Sequence, residues 1–491
     1  MAATPGAMRG FEERLRDVRD WTARGLAANE NLEGFEERLR AALDAVGQEL
    51  MKAALNAENI EAPEVWINGV HHTRVRTFDE EVHTTFGPVV VRKTTYRKDS
   101  KTAPVAAIDK KLGLVEGRYT PKTGKILSLL TALVVREDVE KIIGEFGGMR
   151  MGGATMYRVP QVIMARYEVA RLEVDPQVRE RDRIPAEAAI VQVGLDGVMV
   201  PQEGEHCDPR GRTPKGDPAP PRHEQAVGTL GSSPRDEDGT TGVAWHEASV
   251  GTVAFFDKEG EHLETRYIGR MPEAYKATLE EMLTAEAQYV ADNRPDLQLV
   301  LASDGAEGQW ESLKRLRAAL PGTMGLAAIE LLDLFHLAEH LQEAANAIYG
   351  TGSPRGRVMR AAWVETIKAY EDGFEQVRQA LRRVLREATV KKTKKVVSRV
   401  LNYMKANRLR ASYAAAAAKN LPLATGPTEA AAKSLVGVRM KRSGARYSQH
   451  GGQTILTLLA AHKSDRFNDL WNVIVENCYA ANVTHCPPVA A

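Results

Sequence analysis

Carboxylates that lie far apart in a chain can still meet on one cation when each closes an apolar β-type run. Ligand sites in α/β sheets form beyond the carboxyl ends of the strands. Three acids are placed that way. The run Ala189 to Leu195 reads as a buried strand ending at Asp196-Gly197, and Leu297 to Ala302 as one ending at Ser303-Asp304-Gly305. Leu326 to Leu332 ends at Asp333 and leads into a helix beginning near His336. A fourth acid, Glu429, opens a helix introduced by Thr425-Gly426-Pro427-Thr428, with Thr428 as its expected N-cap. Mg²⁺ prefers oxygen ligands and keeps several waters, so two or three carboxylates suffice to hold it. Two such ions about 3.5–4 Å apart can activate an attacking oxygen and stabilise a leaving one in phosphodiester displacement. Any one of these acids alone reads as a solvated turn residue or a helix cap. Asp196 and Asp304 taken together with Glu429, whose helix is flanked by basic residues, favour the metal reading.

The charge pattern points the same way. Sixty-six basic residues against 65 acidic ones leave a net charge of only +1, but the charge is segregated. Between Arg378 and Arg410 twelve Lys or Arg face a single acid, Glu387, and a second run from Lys433 to Arg446 holds five basic residues and no acid. Two such runs in one third of a nearly neutral chain indicate a polyanionic partner, with nucleic acid as the leading candidate. The DNA-facing candidates are Arg382, Arg383, Lys391, Lys392, Lys394 and Lys395 in the first run, and Lys433, Arg439, Lys441, Arg442 and Arg446 in the second. Arg439, Arg442 and Arg446 form an i, i+3, i+7 stripe with no acid at hand. Glu429 and Lys433 stand four apart, which suits either a phosphate contact beside a metal or an ordinary intrahelical pair.

Several other chemistries are disfavoured. Cys207, Cys478 and Cys486 form no CxxC pair, so a disulfide framework or cysteine zinc site is not expected. The segment Gly117 to Ile126 has the wrong spacing for a P-loop, and HExxH is absent. His71-His72 and His336/His340 are the close histidine pairs. A composition of 43% hydrophobic, 27% charged and 6% aromatic residues is that of a globular protein, and 491 residues imply about three domains. No run approaches a membrane span and no signal-peptide core is visible, so a cytoplasmic protein with no membrane partner is expected.

The elements that must position the acids follow in order. Residues 1–60 read as a helical arm in which Gly10-Phe11-Glu12-Glu13-Arg14-Leu15-Arg16 recurs as Gly34-Phe35-Glu36-Glu37-Arg38-Leu39-Arg40, a helical hairpin or dimerisation arm. Residues 61–105 form a small β region, with alternation over 65–98. Residues 106–180 are helical, at about 122–146 and 155–171, and the glycine-rich turn Gly147 to Gly153 gives the outline of a helix-turn-helix, an outline any helical hairpin shares. Pro160 is expected to kink the second of these helices. Residues 181–350 are α/β: after a loop over 202–241, strands over Ala244 to Phe256 and His262 to Ile268 precede a helix over 272–291 and the two later strands. Residues 351–420 are a basic all-α insertion, and 421–491 carry the Glu429 helix and C-terminal helices. Three strands in hairpin order followed by strands alternating with helices is the order of a ribonuclease H-like core. The expected fold is therefore multidomain, α/β and α, with an N-terminal helical DNA-binding region and a ribonuclease H-like mixed sheet interrupted by an all-α insertion.

These residues carry a resemblance. Asp196, Asp304 and Glu429 in this strand, strand, helix setting look like the catalytic triad of DDE transposases from bacterial insertion sequences. The segment Gly426 to Tyr447 closely resembles the glutamate helix of the ISKra-type family, which belongs with the Mutator-like transposases, and Asp333-Leu334-Phe335-His336 fits that group's DxxH element. The resemblance runs from about residue 60 to the C-terminus and is most specific over 425–450. It implies an enzyme that cuts DNA at the terminal inverted repeats of its own element and joins the 3′ ends to target DNA. Asp196, Asp304 and Glu429 would bind two Mg²⁺ (or Mn²⁺) ions, and His336 would contact the scissile phosphate, with Asp333 orienting it or lining the site. A homodimer or larger assembly is implied, because two ends must be joined. The bland alternative for His336 is a helix-start histidine bonded to backbone. Members of the family often carry a CxxC element before the helix-turn-helix, but Tyr96-Arg97-Lys98-Asp99-Ser100 has no cysteine, so no zinc is expected. A structure-specific nuclease on the same core, or a domesticated transposase that only binds DNA, are the competing readings.

Overall fold

The computed structural model describes residues 5–149, 151–202, 244–442 and 445–485. The chain forms two compact units, one from the N-terminal part up to Arg181 together with the segment from Arg466 onward, the other from Asp182 to Asp465. The stretch 421–491 is thus divided at Asp465.

In the first unit, α1 (Pro5–Thr22) and α2 (Leu32–Ala57) form the hairpin expected from the repeat, with Asn31 capping α2 by accepting from Gly34 N at 2.9 Å. The hairpin is closed by Trp21 edge-on to Phe35 and by the Arg38 guanidinium over Trp21, while Leu15 stays exposed. Strands β1 (Glu64–Ile67), β2 (Val70–Thr84), β3 (Gly87–Arg97) and β4 (Val105–Ala106) pair antiparallel, and Val483–Thr484 adds to the β1 edge. Four helices follow: α3 (Ala107–Leu112), α4 (Pro121–Leu133), α5 (Arg136–Phe146) and α6 (Gly153–Arg181). The single helix expected over 122–146 is two, because Val134 and Val135 take extended backbone and Glu137 and Asp138 favour a new helix start. The next helix is longer than 155–171 and runs through Pro160 and Pro176 to Arg181.

The second unit holds a five-stranded mixed sheet of β5 (Ile190–Gln202), β6 (Ala244–Phe256), β7 (His262–Arg270), β8 (Gln298–Ser303) and β9 (Ile329–Leu332) in the order β7-β6-β5-β8-β9. β5, β6 and β7 form an antiparallel meander, and β8 and β9 extend it in parallel from β5. Of the loop expected over 202–241, Gln202 closes β5 and the rest lies outside the described residues. Helices α7 (Ala277–Asn293) and α8 (Glu307–Ala319) cover one face, packing Leu279, Leu283 and Leu313 on Val191, Val193 and Leu195. A short helix, α9 (Gly322–Ala327), takes up the start of the run expected to be a strand from Leu326, so β9 begins only at Ile329.

Helix α10 (Leu334–Tyr349) follows β9, and the basic segment over 351–420 is helical as expected: α11 (Pro354–Ala369), α12 (Gly373–Glu387), α13 (Lys391–Ala406) and α14 (Tyr413–Ala417). It has its own core, in which Trp363, Phe374, Leu381, Val397 and Met404 are buried together. Helix α15 (Gly426–Ala431) continues through a π-helical stretch, Ala432–Gly437, to Val438–Met440, and α16 (Gln449–Lys463) packs on β7. No helix among the described residues is long and apolar enough to cross a membrane.

Candidate active site

Alternation along the strands decides which side chains can meet. In β5 the odd-numbered Val191, Val193 and Leu195 face α7 and α8, so Gln192, Gly194 and Asp196 face the other side. In β8 Leu299 and Leu301 share the α7/α8 core, which turns Val300, Ala302 and the following Asp304 toward the same side as Asp196. In β9 Leu331 packs with Val300 and Ile190 on that side, and Asp333 follows it two residues on. All three acids therefore share one face.

Register sets them in a row. The β5–β8 ladder ends at Gly194 opposite Ala302, and two further residues place Asp196 beside Asp304. The β8–β9 ladder ends at Ser303 opposite Leu332, and one further residue places Asp304 beside Asp333. Asp196 is not at a strand end, contrary to expectation. β5 stays paired with β6 as far as Gln202 opposite Ala244, with Asp196 opposite Val250. What ends just before Asp196 is the parallel neighbour, so its carboxylate sits where one side of β5 becomes free.

Helix α15 is built onto this face. Gln192 Nε2 donates to Ala424 O at 3.1 Å, and the Thr252 and Thr428 hydroxyls are hydrogen-bonded at 2.7 Å. Gly194 lies between them, and a Cβ there would overlap Thr428 Oγ1, so only glycine lets the helix approach so closely. Thr428 is thus buried inside the helix and is not its N-cap; Thr425 precedes the helix instead. Asp333 secures that start. Its Oδ2 accepts from Thr425 N at 2.7 Å and from the Thr425 hydroxyl, while its Oδ1 accepts from His336 N at 2.9 Å and caps α10. Asp333 is 1% exposed and both of its oxygens are engaged, so it touches the His336 backbone and not the ring.

The Asp196 carboxyl is pushed above the ordinary aspartate range, chiefly by burial. The Gly197 N–H, 2.7 Å from Asp196 Oδ1, opposes that rise, the negative charge of Asp304 adds to it, and Lys276 offsets part of it. Lys276 is itself paired with Glu247 at 3.1 Å, and the Glu247 side chain fills the space over Gly197. Asp304 Oδ1 accepts from Ala306 N at 2.9 Å, and the buried Gln309 amide, turned so that its nitrogen donates, reaches Asp304 Oδ1 at 2.8 Å and Leu195 O at 3.2 Å. Glu429 Oε2 is paired with Lys433 Nζ at 3.1 Å, the intrahelical alternative foreseen for this pair. His336 is half-exposed, with Nδ1 3.6 Å from Glu339.

Among the described residues no three His, Cys, Asp or Glu side chains form a ready-made metal cluster. The donor chemistry nevertheless fits a hard cation. Asp196 and Asp304 are two oxygen donors that repel each other in a partly desolvated row, a situation that a divalent ion relieves. Glu429 stands on the helix packed against the same strand, but its side chain does not join Asp196 and Asp304 in one cluster.

The second basic run is corrected in part. Arg439 is only 5% exposed and does not present itself to a partner, Arg446 is half-buried, and Lys433, Lys441 and Arg442 are exposed. The stripe through Arg439, Arg442 and Arg446 is not one helix face, because the helix stops at Met440, where Tyr447 OH donates to Arg439 O at 2.8 Å. In the first run Arg382, Arg383, Lys391, Lys392, Lys394 and Lys395 are all exposed. Sequence reading missed Gln192, Thr252, Thr425 and Gln309. Gln192 had a signal, as the one polar residue inside the apolar run Ala189 to Leu195. Compared with known proteins, the chain matches no protein-family model and no curated protein.

Proposed function

We propose that this chain is a DDE transposase of the ISKra type, acting on the terminal inverted repeats of its own element and on target DNA. The observation that carries the reading is the row of Asp196 and Asp304 on the sheet face against which the Glu429 helix is packed at Gly194. The strand order β7-β6-β5-β8-β9, a meander extended in parallel from its first strand, supports a ribonuclease H-like core. Asp196, Asp304 and Glu429 would hold two Mg²⁺ or Mn²⁺ ions through carboxylate oxygens. Such ions, when bound, supply activation of the attacking oxygen and stabilisation of the leaving one. Asp333, through Thr425, holds the start of the Glu429 helix to the sheet. Lys433 pairs with Glu429 in the free protein and would turn to a phosphate of the bound strand, and His336 would contact the scissile phosphate. The active assembly would be a homodimer or larger, since two ends are joined.

The basic insertion supplies the DNA grip. Lys391, Lys392, Lys394 and Lys395 crowd the first turns of α13, where the helix dipole disfavours positive charge, and no acid pairs with any of them among the described residues. Four lysines that work against their own helix are explained by a polyanion. Replacing all four by Ala is expected to leave Tm unchanged or higher. Because each phosphate contact contributes about 0.9 to the slope of log K against log salt, loss of all four should flatten it by up to ~3.6. An unchanged slope in a salt titration of duplex binding would remove this helix from the interface.

The decisive experiment is cleavage of a labelled duplex carrying the DNA that flanks the gene, with Mg²⁺ and with EDTA. Nicks at discrete positions in both flanks, absent in EDTA, are expected. Nicking without positional preference would instead indicate a general nuclease, and binding without cutting a protein that only occupies DNA.

A further inference from the structure

The basic insertion also reaches the acid row itself. On α13, twelve residues beyond Lys391, Tyr403 donates its hydroxyl to Asp304 O at 2.7 Å. The same ring closes on the turn that follows. Gly305 has φ +101°, and a Cβ there would stand 3.0 Å from Tyr403 Cε2 and 3.0 Å from Asn407 Nδ2, so the turn is held without room for a side chain. Asn407 Nδ2 in turn donates to Tyr403 O at 3.2 Å, and the ring of His340 lies against Tyr403 with centroids 4.0 Å apart.

We infer that Tyr403 is a positioning residue through which the insertion fixes the backbone of Asp304, and thereby the direction of its carboxylate. The inference rests on the metal-binding reading of Asp196 and Asp304 and adds a role for the insertion within it. The all-α segment is then more than a DNA-facing surface. The helix that carries the unpaired lysines at one end holds a proposed metal ligand at the other, about 18 Å away along its axis at 1.5 Å per residue.

The test is Mn²⁺ binding by calorimetry, without DNA, for the full-length wild type, Tyr403→Phe and Val397→Ala. Tyr403→Phe removes one hydroxyl and keeps the ring against His340. Val397→Ala loosens the insertion core without touching Asp304. Outer partners of metal ligands typically change metal affinity by 10–100-fold, so Tyr403→Phe is expected to weaken Mn²⁺ binding about tenfold with duplex affinity unchanged. Val397→Ala should lower Tm and leave Mn²⁺ affinity near wild type. Equal Mn²⁺ affinity in wild type and Tyr403→Phe overturns the inference, as does an equal loss in Val397→Ala, which would make the effect one of general stability. A wild-type chain that binds no Mn²⁺ overturns the metal reading and this inference with it.

Discussion

Asp196→Asn is expected to reduce Mg²⁺-dependent strand cleavage by roughly 10³-fold or more, well beyond the 10–100-fold loss typical of outer partners of metal ligands. It is also expected to raise Tm at pH 7 in EDTA. Both effects come from one geometry. The carboxylate is partly buried beside Asp304, and its proton affinity is raised. A raised carboxyl binds its proton more tightly in the folded chain than in the unfolded one. Stability therefore falls as pH rises from the ordinary aspartate range through the raised value, and the full penalty is present above it. Asparagine keeps the shape and the acceptor for Gly197 N–H but carries no charge, so the penalty disappears. Wild type and variant should thus have similar Tm below the ordinary aspartate range and diverge as pH rises, with the variant the more stable. Mg²⁺ should close the gap by stabilising the wild type alone. Tm measured against pH in EDTA and in Mg²⁺ checks this, and a variant less stable than wild type at pH 7 would show that Asp196 serves the fold and not a cation.

That pairing of instability with expected activity explains which parts of the site were legible in the sequence. Asp196 and Asp304 stood out because acids that follow apolar strand-type runs need a reason, and Glu429 because its helix is flanked by basic residues and resembles a family's glutamate helix. The strands themselves were visible from their apolar runs, and the row of acids followed from strand order. Less visible was everything set by packing between distant segments. That β5 continues past Asp196 depends on β6, whose pairing extends the strand beyond the point where β8 stops. That Asp333 serves Thr425 depends on a contact across 92 positions of the chain, which no local pattern encodes. The basic runs could be counted, but not divided into exposed and buried members. Arg439 follows a continuous helical period on paper, and a π-helical stretch followed by a helix end at Met440 takes it into the interior. Charge runs predict a partner, whereas the residues that meet it depend on where each helix stops.

Gly194→Ala should be the most damaging change that touches no charged group. The sequence offers Gly194 as one more small residue in a strand, yet it is the point at which the Glu429 helix rests on β5. A methyl group there would overlap Thr428 Oγ1, whose hydroxyl is bonded to Thr252 at 2.7 Å, so the helix must move or that buried bond must break. Overpacking of this kind costs about 1–3 kcal/mol in stability. A displacement of about 1 Å in a reacting group can cost on the order of 10²-fold in rate, and Glu429 directly follows Thr428. Cleavage should therefore fall about 10²-fold, while duplex binding through the exposed lysines of α13 persists. Thr428→Ala in the same chain makes room for the new methyl at the expense of the Thr252 hydrogen bond. If overlap is the cause, the double variant should be more active and more stable than Gly194→Ala alone, a coupling of the kind double-mutant cycles measure between residues in contact. Additive losses in the double variant would mean that the helix does not take its position from Gly194, and its seat on β5 would need another source.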